Sequence, residues 1–196
     1  MWEGKNVTVF VTGGIAAFKA ATLVRLFVKA GANVEVAMTK SACEFITPLT
    51  FQVLTKNKVH TDTFDEDEAS KVQHIHLADK TDVAVVVPAT SNTIAKMANG
   101  IADNFVTSTL LATTAPIYVA PAMNEHMWEN PATVRNVAQL KADGKVIIEP
   151  ATGFLAEGYH GKGRLPEPEE IFEQVTFFES RREYKSPLEG KTILIT

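Results

Sequence analysis

An open parallel α/β sheet with helices on both faces is the fold this sequence predicts, and three observations carry the prediction. Short β-branched runs alternate with stretches of helical period along most of the chain. The opening unit runs from a strand, Asn6 to Thr12, through a helix, Ala16 to Ala30, into a second strand, Val34 to Met38. Such a β-α-β unit implies parallel strands joined by a right-handed crossover. A later run, Asp82 to Val87, is apolar on both sides of its pleat, as a strand covered by helices on both faces must be.

Composition bounds the rest. The chain has 196 residues, enough for one domain with a sizeable core, and 45% of them are hydrophobic. The formal net charge is −4 and no long basic block occurs, which argues against nucleic-acid binding. No apolar run reaches the roughly 18 residues of a membrane span, and the first strand begins without the long apolar segment of a signal peptide. Cys43 is the sole cysteine, so no internal disulfide forms and a reducing, cytoplasmic setting is expected.

Taken in order, the first strand ends in Thr12-Gly13-Gly14-Ile15-Ala16. This loop lacks the full GxGxxG pattern and the P-loop ending, so it is either a phosphate cradle at a helix start or a tight turn alone. After the second strand, Thr39 offers a hydroxyl to a phosphate and Ser41 is read as a helix cap. Ala42 to Leu54 reads as helix, interrupted or restarted at Pro48. Thr61 to Ser70 is acidic without EF-hand spacing and reads as a solvated loop. For Val72 to Leu77 periodicity leaves strand and short helix open, and His74 and His76 share a face only in a strand. As a pair they lack a third metal ligand, so no metal site is expected.

Pro88 is expected to end the Asp82 strand, and Ser91 to cap a helix over Asn92 to Ala98. Thr90, Ser91, Asn92 and Thr93 fit a phosphate or polar cofactor edge as well as they fit capping. Asp103 or Asn104 caps the helix Phe105 to Ala112. The run Pro116 to Ala120 reads as a central strand, and Pro121-Ala122-Met123-Asn124-Glu125-His126-Met127-Trp128 follows at its carboxyl end, where open α/β sheets hold their ligands. Asn124 suits the orientation of a carboxylate or amide. A helix, Pro131 to Ala142, and a fifth strand, Lys145 to Glu149, come next. Gly153 to Arg164 holds four glycines with Tyr159, Lys162 and Arg164, and reads as a flap over a small anionic ligand. A helix from Glu169 to about Glu183, a linker, Ser186 to Gly190, and a new apolar run, Lys191 to Thr196, close the chain.

Several of these pieces together resemble the flavin-dependent cysteine decarboxylases, and among them the phosphopantothenoylcysteine decarboxylases of coenzyme A biosynthesis. They are GGIAAFKA (Gly13 to Ala20), HIHLA (His74 to Ala78), PATSNTIAK and ANGIADN (Pro88 to Asn104), PAMNEHMW (Pro121 to Trp128) and GRLPEP (Gly163 to Pro168). The likeness covers residues 5 to about 180; SPLEGKTILIT resembles the entrance to a second, synthetase part. Residues 1–182 are thus expected to form the decarboxylase domain, and 183–196 a linker and the start of the next.

The resemblance implies a flavodoxin-like (Rossmann-like) fold, bound FMN, and a homotrimer or trimer-based dodecamer with the flavin near a subunit boundary. It assigns the active-site histidine to His74 and the FMN contacts to Gly13, Gly14, Ile15, Thr39, Ser91, Asn92 and Thr93. A small phosphorylated, cysteine-containing substrate would meet Asn124, Met127, Ala156, Lys162 and Arg164. One departure stands out. Pantetheine-forming relatives carry Ala-Cys-Gly in the flap, whose cysteine donates the last proton; this chain has Ala156-Glu157-Gly158. Three readings are open: Glu157 is itself the acid; the reduction is absent and the product an enethiol, as in peptidyl-cysteine decarboxylases; or the donor lies elsewhere. A non-catalytic flavin-binding subunit would lack the histidine or the asparagine, and a prenyl-transferring relative would lack the PAMN loop and flap.

Overall fold

The computed structural model describes residues 1–64, 72–156, 158–183 and 192. The elements follow in order: β1 (Asn6–Val11), α1 (Ala17–Lys29), β2 (Asn33–Met38), α2 (Lys40–Cys43), α3 (Pro48–Thr55), β3 (Val59–His60), α4 (Gln73–Lys80), β4 (Val83–Ala89) and α5 (Ser91–Ala98). Then come α6 (Phe105–Ala112), β5 (Ile117–Pro121), α7 (Glu125–Glu129), α8 (Pro131–Ala142), β6 (Val146–Ile147), β7 (Ala151–Phe154), β8 (His160–Arg164) and α9 (Pro168–Glu183).

Six strands form one parallel sheet in the order β3-β2-β1-β4-β5-β6. With the two-residue β3 set aside, this is the flavodoxin order, and it reverses direction between β1 and β4. The alternation of each central strand divides the core. Val7, Val9 and Val11 of β1, with Val83, Val85 and Val87 of β4, pack against α1 and α9. Phe10, Ala84 and Val86 turn to the other face, against Ile94, Phe105 and Leu140. Phe27 is fully buried and meets Trp2 edge-on at 5.0 Å and Phe172 at 5.0 Å, tying the N-terminus and α9 to the sheet.

The structure sharpens or corrects several local expectations. Val72 to Leu77 is helical, as part of α4 with Val72 at its N-cap, so His74 and His76 diverge by about 200°. The Asp82 strand continues through a cis Val87–Pro88 peptide to Ala89, with a register shift toward β5 between Val86 and Ala89. Thr90, not Ser91, caps α5: its hydroxyl accepts from the Thr93 amide at 3.3 Å. Thr39, not Ser41, caps α2, accepting from the Ala42 amide at 3.2 Å. In both cases a threonine one or two residues earlier reaches the third amide of the turn, the geometry a cap requires. Asn104 caps α6 in a reciprocal box with Thr107. The flap is an antiparallel hairpin, β7–β8. Residues 65–70 of the acidic stretch, Glu157, and nearly all of 184–196 lie outside the described residues. No helix among the described residues is long and apolar enough to cross a membrane.

Candidate active site

The sheet's direction reverses where β1 and β4 end, and the chain closes that crevice with hydroxyls. The Thr12 hydroxyl donates to the Pro88 carbonyl at 2.6 Å and accepts from the Thr90 amide at 3.0 Å. Thr12 is fully buried, and this knot fixes the spacing of the two loops. Between them lie two adjoining cavities, with Gly13 and Thr90 in the wall of both.

The first cavity, about 530 Å³, is bounded by Gly13 to Ala16, Phe18, Lys19, Ser91, Ala122 to Asn124, Met127 and the hairpin residues Phe154 to Ala156 and Gly163 to Leu165. Its rim is apolar: Ile15, Phe18 and Phe154 are each more than half exposed. The second, about 430 Å³, is lined by Thr39 to Ser41, Thr61 to Phe64, Asn92, Thr93, Lys96, Asp103 to Phe105 and the shared pair. Here hydroxyls and amides predominate. All seven residues expected at the cofactor therefore gather around these two spaces: Gly13, Gly14, Ile15 and Ser91 on the first, Gly13, Thr39, Asn92 and Thr93 on the second.

The cradle fits a phosphate-bearing flavin on two counts. Helix α1 has no side-chain cap and no acidic residue in its first turn, so no carboxylate there competes with an anion, although the Ala17 and Lys19 amides already donate to the Gly14 and Ala16 carbonyls at 2.9 and 3.0 Å. Thr39 uses its oxygen as a cap, which leaves the hydroxyl hydrogen to donate. Gly13 is sterically obligatory, because a Cβ there would lie 2.4 Å from the Ser41 Cβ. A Cβ on Gly14 would meet only the Thr90 methyl at 3.8 Å.

Asn124 stands at the N-cap of α7. Its Oδ1 accepts from the His126 amide at 2.9 Å, and its Nδ2 donates to the Tyr159 hydroxyl at 2.5 Å. The hairpin is seated on this segment by backbone contacts. The Met123 amide donates to the Gly163 carbonyl at 3.0 Å, and the Lys162 amide donates to the Glu125 carboxylate at 3.0 Å. Gly163 (φ 145°) has no room for a Cβ, which would lie 2.1 Å from the Met123 carbonyl oxygen. Arg164 lines the first cavity and pairs with Glu167 at 2.5 Å; Lys19 reaches the same Oε1 at 2.9 Å. The Lys19 hydrogen bond, reinforced by the charges of Lys19 and Arg164, holds the Glu167 carboxyl below the usual range.

Other expected residues sit differently. Met127 and Ala156 line the first cavity. Lys162 lines neither; its ammonium lies 5.8 Å from the Trp128 ring centre and 3.4 Å from Glu149. His74 also lines neither cavity. It packs edge-on to Phe105, ring centres 6.4 Å apart, and its buried Nδ1 has no hydrogen-bond partner. Burial pushes the Cys43 thiol up, so the sole cysteine on α2 is not a ready thiolate. Sequence reasoning missed Lys19, Glu125 and Glu167, whose roles depend on tertiary pairing. All three lie within quoted motifs, Lys19 in GGIAAFKA, Glu125 in PAMNEHMW and Glu167 in GRLPEP, but the motifs do not show which groups pair.

Comparison with known proteins now decides the family. The flavoprotein family model matches residues 1–178. The chain belongs to the flavoprotein family. Within this family, it is 52% identical over 196 residues to the coenzyme A biosynthesis bifunctional protein CoaBC of Bacillus subtilis, and spans about half of that relative's length (48%). A solved PPC decarboxylase carrying a cysteine-to-serine mutation, complexed with pantothenoylaminoethenethiol, superposes with a TM-score of 0.81 at 32% identity, covering 91% of this chain and 100% of that one. The FMN-dependent cysteine decarboxylase SpaF gives 0.74 at 31% identity, covering 89% and 99%. A flavoprotein family is consistent with a cradle at the β1/β4 switch point.

Proposed function

We propose that this chain is an FMN-dependent decarboxylase that converts 4'-phosphopantothenoylcysteine to 4'-phosphopantetheine. The observation that carries the reading is the Asn124 amide, fixed between α7 and the hairpin at the wall of a cavity that adjoins a phosphate-type cradle. The likeness to a PPC decarboxylase and to CoaBC supports the choice of substrate.

Gly13, Gly14, Ile15, Thr39, Ser91, Asn92 and Thr93 would hold FMN. When bound, FMN supplies the electron sink that makes loss of carbon dioxide from a cysteine carboxylate feasible, by accepting hydride from the thiol-bearing carbon. The chain's own residues do the rest. Asn124 orients the carboxylate through Nδ2, its Oδ1 being committed to the helix cap. Met127 and Ala156 pack beside the cysteine portion. Phe154 and Leu155 on the hairpin exclude water. Lys19 and Arg164, which share one carboxylate between them, keep a net positive charge for the anionic substrate.

His74 completes the site from a neighbouring copy in a trimer. Val72 and Ile75, next to it on the chain, are exposed apolar residues, as Leu111 is on α6, and exposed apolar side chains are suited to burial against another copy. The test is anaerobic incubation of the protein with 4'-phosphopantothenoylcysteine, following flavin absorbance and product mass. Loss of carbon dioxide alone, with the flavin returned to its oxidised form, is the expected result. Loss of carbon dioxide and two hydrogens, with the flavin left bleached, would instead make the chain an oxidative cysteine decarboxylase. No loss of carbon dioxide would overturn the reading.

A further inference from the structure

The reaction just described needs an acid near one particular carbon, and this chain has no cysteine on its hairpin to provide it. When carbon dioxide leaves, the carbon that carried the carboxylate becomes the nucleophilic end of an enethiolate. A proton must arrive where the carboxylate was attached. The residue read as holding that carboxylate is Asn124, so the acid must stand beside Asn124.

A side chain with an acidic hydrogen stands there. The Tyr159 hydroxyl lies 2.5 Å from Asn124 Nδ2, on the loop that joins the hairpin strands. The direction of this hydrogen bond matters. Asn124 Oδ1 is engaged by the His126 amide, so the side facing Tyr159 is the NH2 group, and it donates. The phenol oxygen is the acceptor, and its own hydrogen is not spent on Asn124. An N–H aimed at that oxygen also stabilises the negative charge that grows there as the proton departs. Tyr159 is 37% exposed, so water can return the proton afterwards.

We propose that Tyr159 is the acid that protonates the carbon vacated by carbon dioxide. The inference rests on the decarboxylase reading above and deepens it. In the step, the Tyr159 O–H bond breaks and the enethiolate's carbon–carbon π pair forms the new C–H bond. The sulfur-bearing end becomes a thioaldehyde, and Tyr159 a tyrosinate. The thioaldehyde then takes back the hydride given up in the first step, for which reduced flavin is the reductant, and becomes a thiolate. Water reprotonates Tyr159 and the thiolate, and the sum is loss of carbon dioxide against uptake of one proton.

The experiment compares wild type, Tyr159→Phe, Tyr159→Cys and Glu157→Gln, each purified with bound flavin, under anaerobic conditions with 4'-phosphopantothenoylcysteine. Flavin content and Tm are measured first; Tyr159→Phe should match wild type in both, since only a hydroxyl is lost. Tyr159→Phe should then release carbon dioxide but accumulate the enethiol, with the flavin left reduced and its return slowed about 100-fold, the scale of a lost general acid. Tyr159→Cys should restore saturated thiol in part, and Glu157→Gln should give the wild-type product. Saturated thiol from Tyr159→Phe at the wild-type rate would overturn the proposal. So would enethiol from Glu157→Gln alone, or a Tyr159→Phe protein that releases no carbon dioxide while wild type does. If wild type itself releases none, the decarboxylase reading falls first, and the proposal with it.

Discussion

Asn124 and His74 are the two residues to which the proposed chemistry is assigned, and the single chain treats them in opposite ways. Asn124 is held at both ends of its amide, by the first turn of α7 and by Tyr159, and it faces a cavity. His74 rides on α4, lines neither cavity, leaves a buried nitrogen unpartnered, and has exposed apolar residues, Val72 and Ile75, close to it in sequence. A residue finished within one chain needs nothing more; a residue left unsatisfied at an apolar surface is one that a second copy completes. On the function proposed above, the difference would put the site at a boundary between copies, with the amide from one and the imidazole from another.

The comparison is broken most sharply at its two poles. Asn124→Asp replaces a donor with a negative charge facing the substrate carboxylate, and turnover should fall at least about 100-fold. His74→Asn should do the same while flavin content and Tm stay at the wild-type level. Near-normal kcat in either variant would remove that residue from the chemistry.

How much of this was legible in the sequence divides along the same line. The central strands and α1 could be read because their apolar spacing reports what they bury. Asn124 could be placed because a loop after a central strand must emerge at the ligand edge. The short apolar run around His74 has no decisive period, and only its packing on α6 makes it a helix. That His74 stands apart from the cavities is a fact of tertiary placement, which no local pattern encodes. The two-residue β3 and the docking of Gly161 and Gly163 on Glu125 and Met123 were hidden for the same reason.

The cofactor cradle should respond unequally to two neighbouring glycines. Gly13→Ala drives a methyl into Ser41, and flavin content should drop about tenfold; Gly14→Ala, with room for a methyl, should keep most of its flavin. Equal flavin content in both, measured by absorbance after purification, would separate the cradle from flavin binding. On the hairpin, a Cβ at Gly161 would lie 2.7 Å from the Glu125 carboxylate. Gly161→Ala should therefore push the mobile end of the Glu125 side chain off the Lys162 amide, loosening the hairpin and raising KM by at most several-fold, with flavin content unchanged. A KM like that of wild type would show that hairpin seating does not govern substrate affinity.

The smallest effect lies under the sheet. Burial would raise the Glu35 carboxyl, but hydrogen bonds from His60 and Lys80, with their charges, outweigh it and hold the group below its usual range. Because the folded value lies below the unfolded one, near 4.3, the stabilisation is full above that pH and is lost as pH falls through the folded value. Glu35→Gln should accordingly cost about 1 kcal/mol near neutrality and flatten the acid limb of Tm against pH. An unchanged acid limb would mean that Glu35 carries no pH-dependent stability.

The most direct measurement of the shared site is complementation between copies. His74→Asn and Asn124→Asp chains are co-expressed in equal amounts, so that mixed assemblies form, and decarboxylase turnover per flavin is compared with either variant alone. If each site draws its amide from one copy and its imidazole from the next, random mixing restores about a quarter of wild-type sites. Turnover no greater than the two inactive parents would place both residues in one chain and contradict the account.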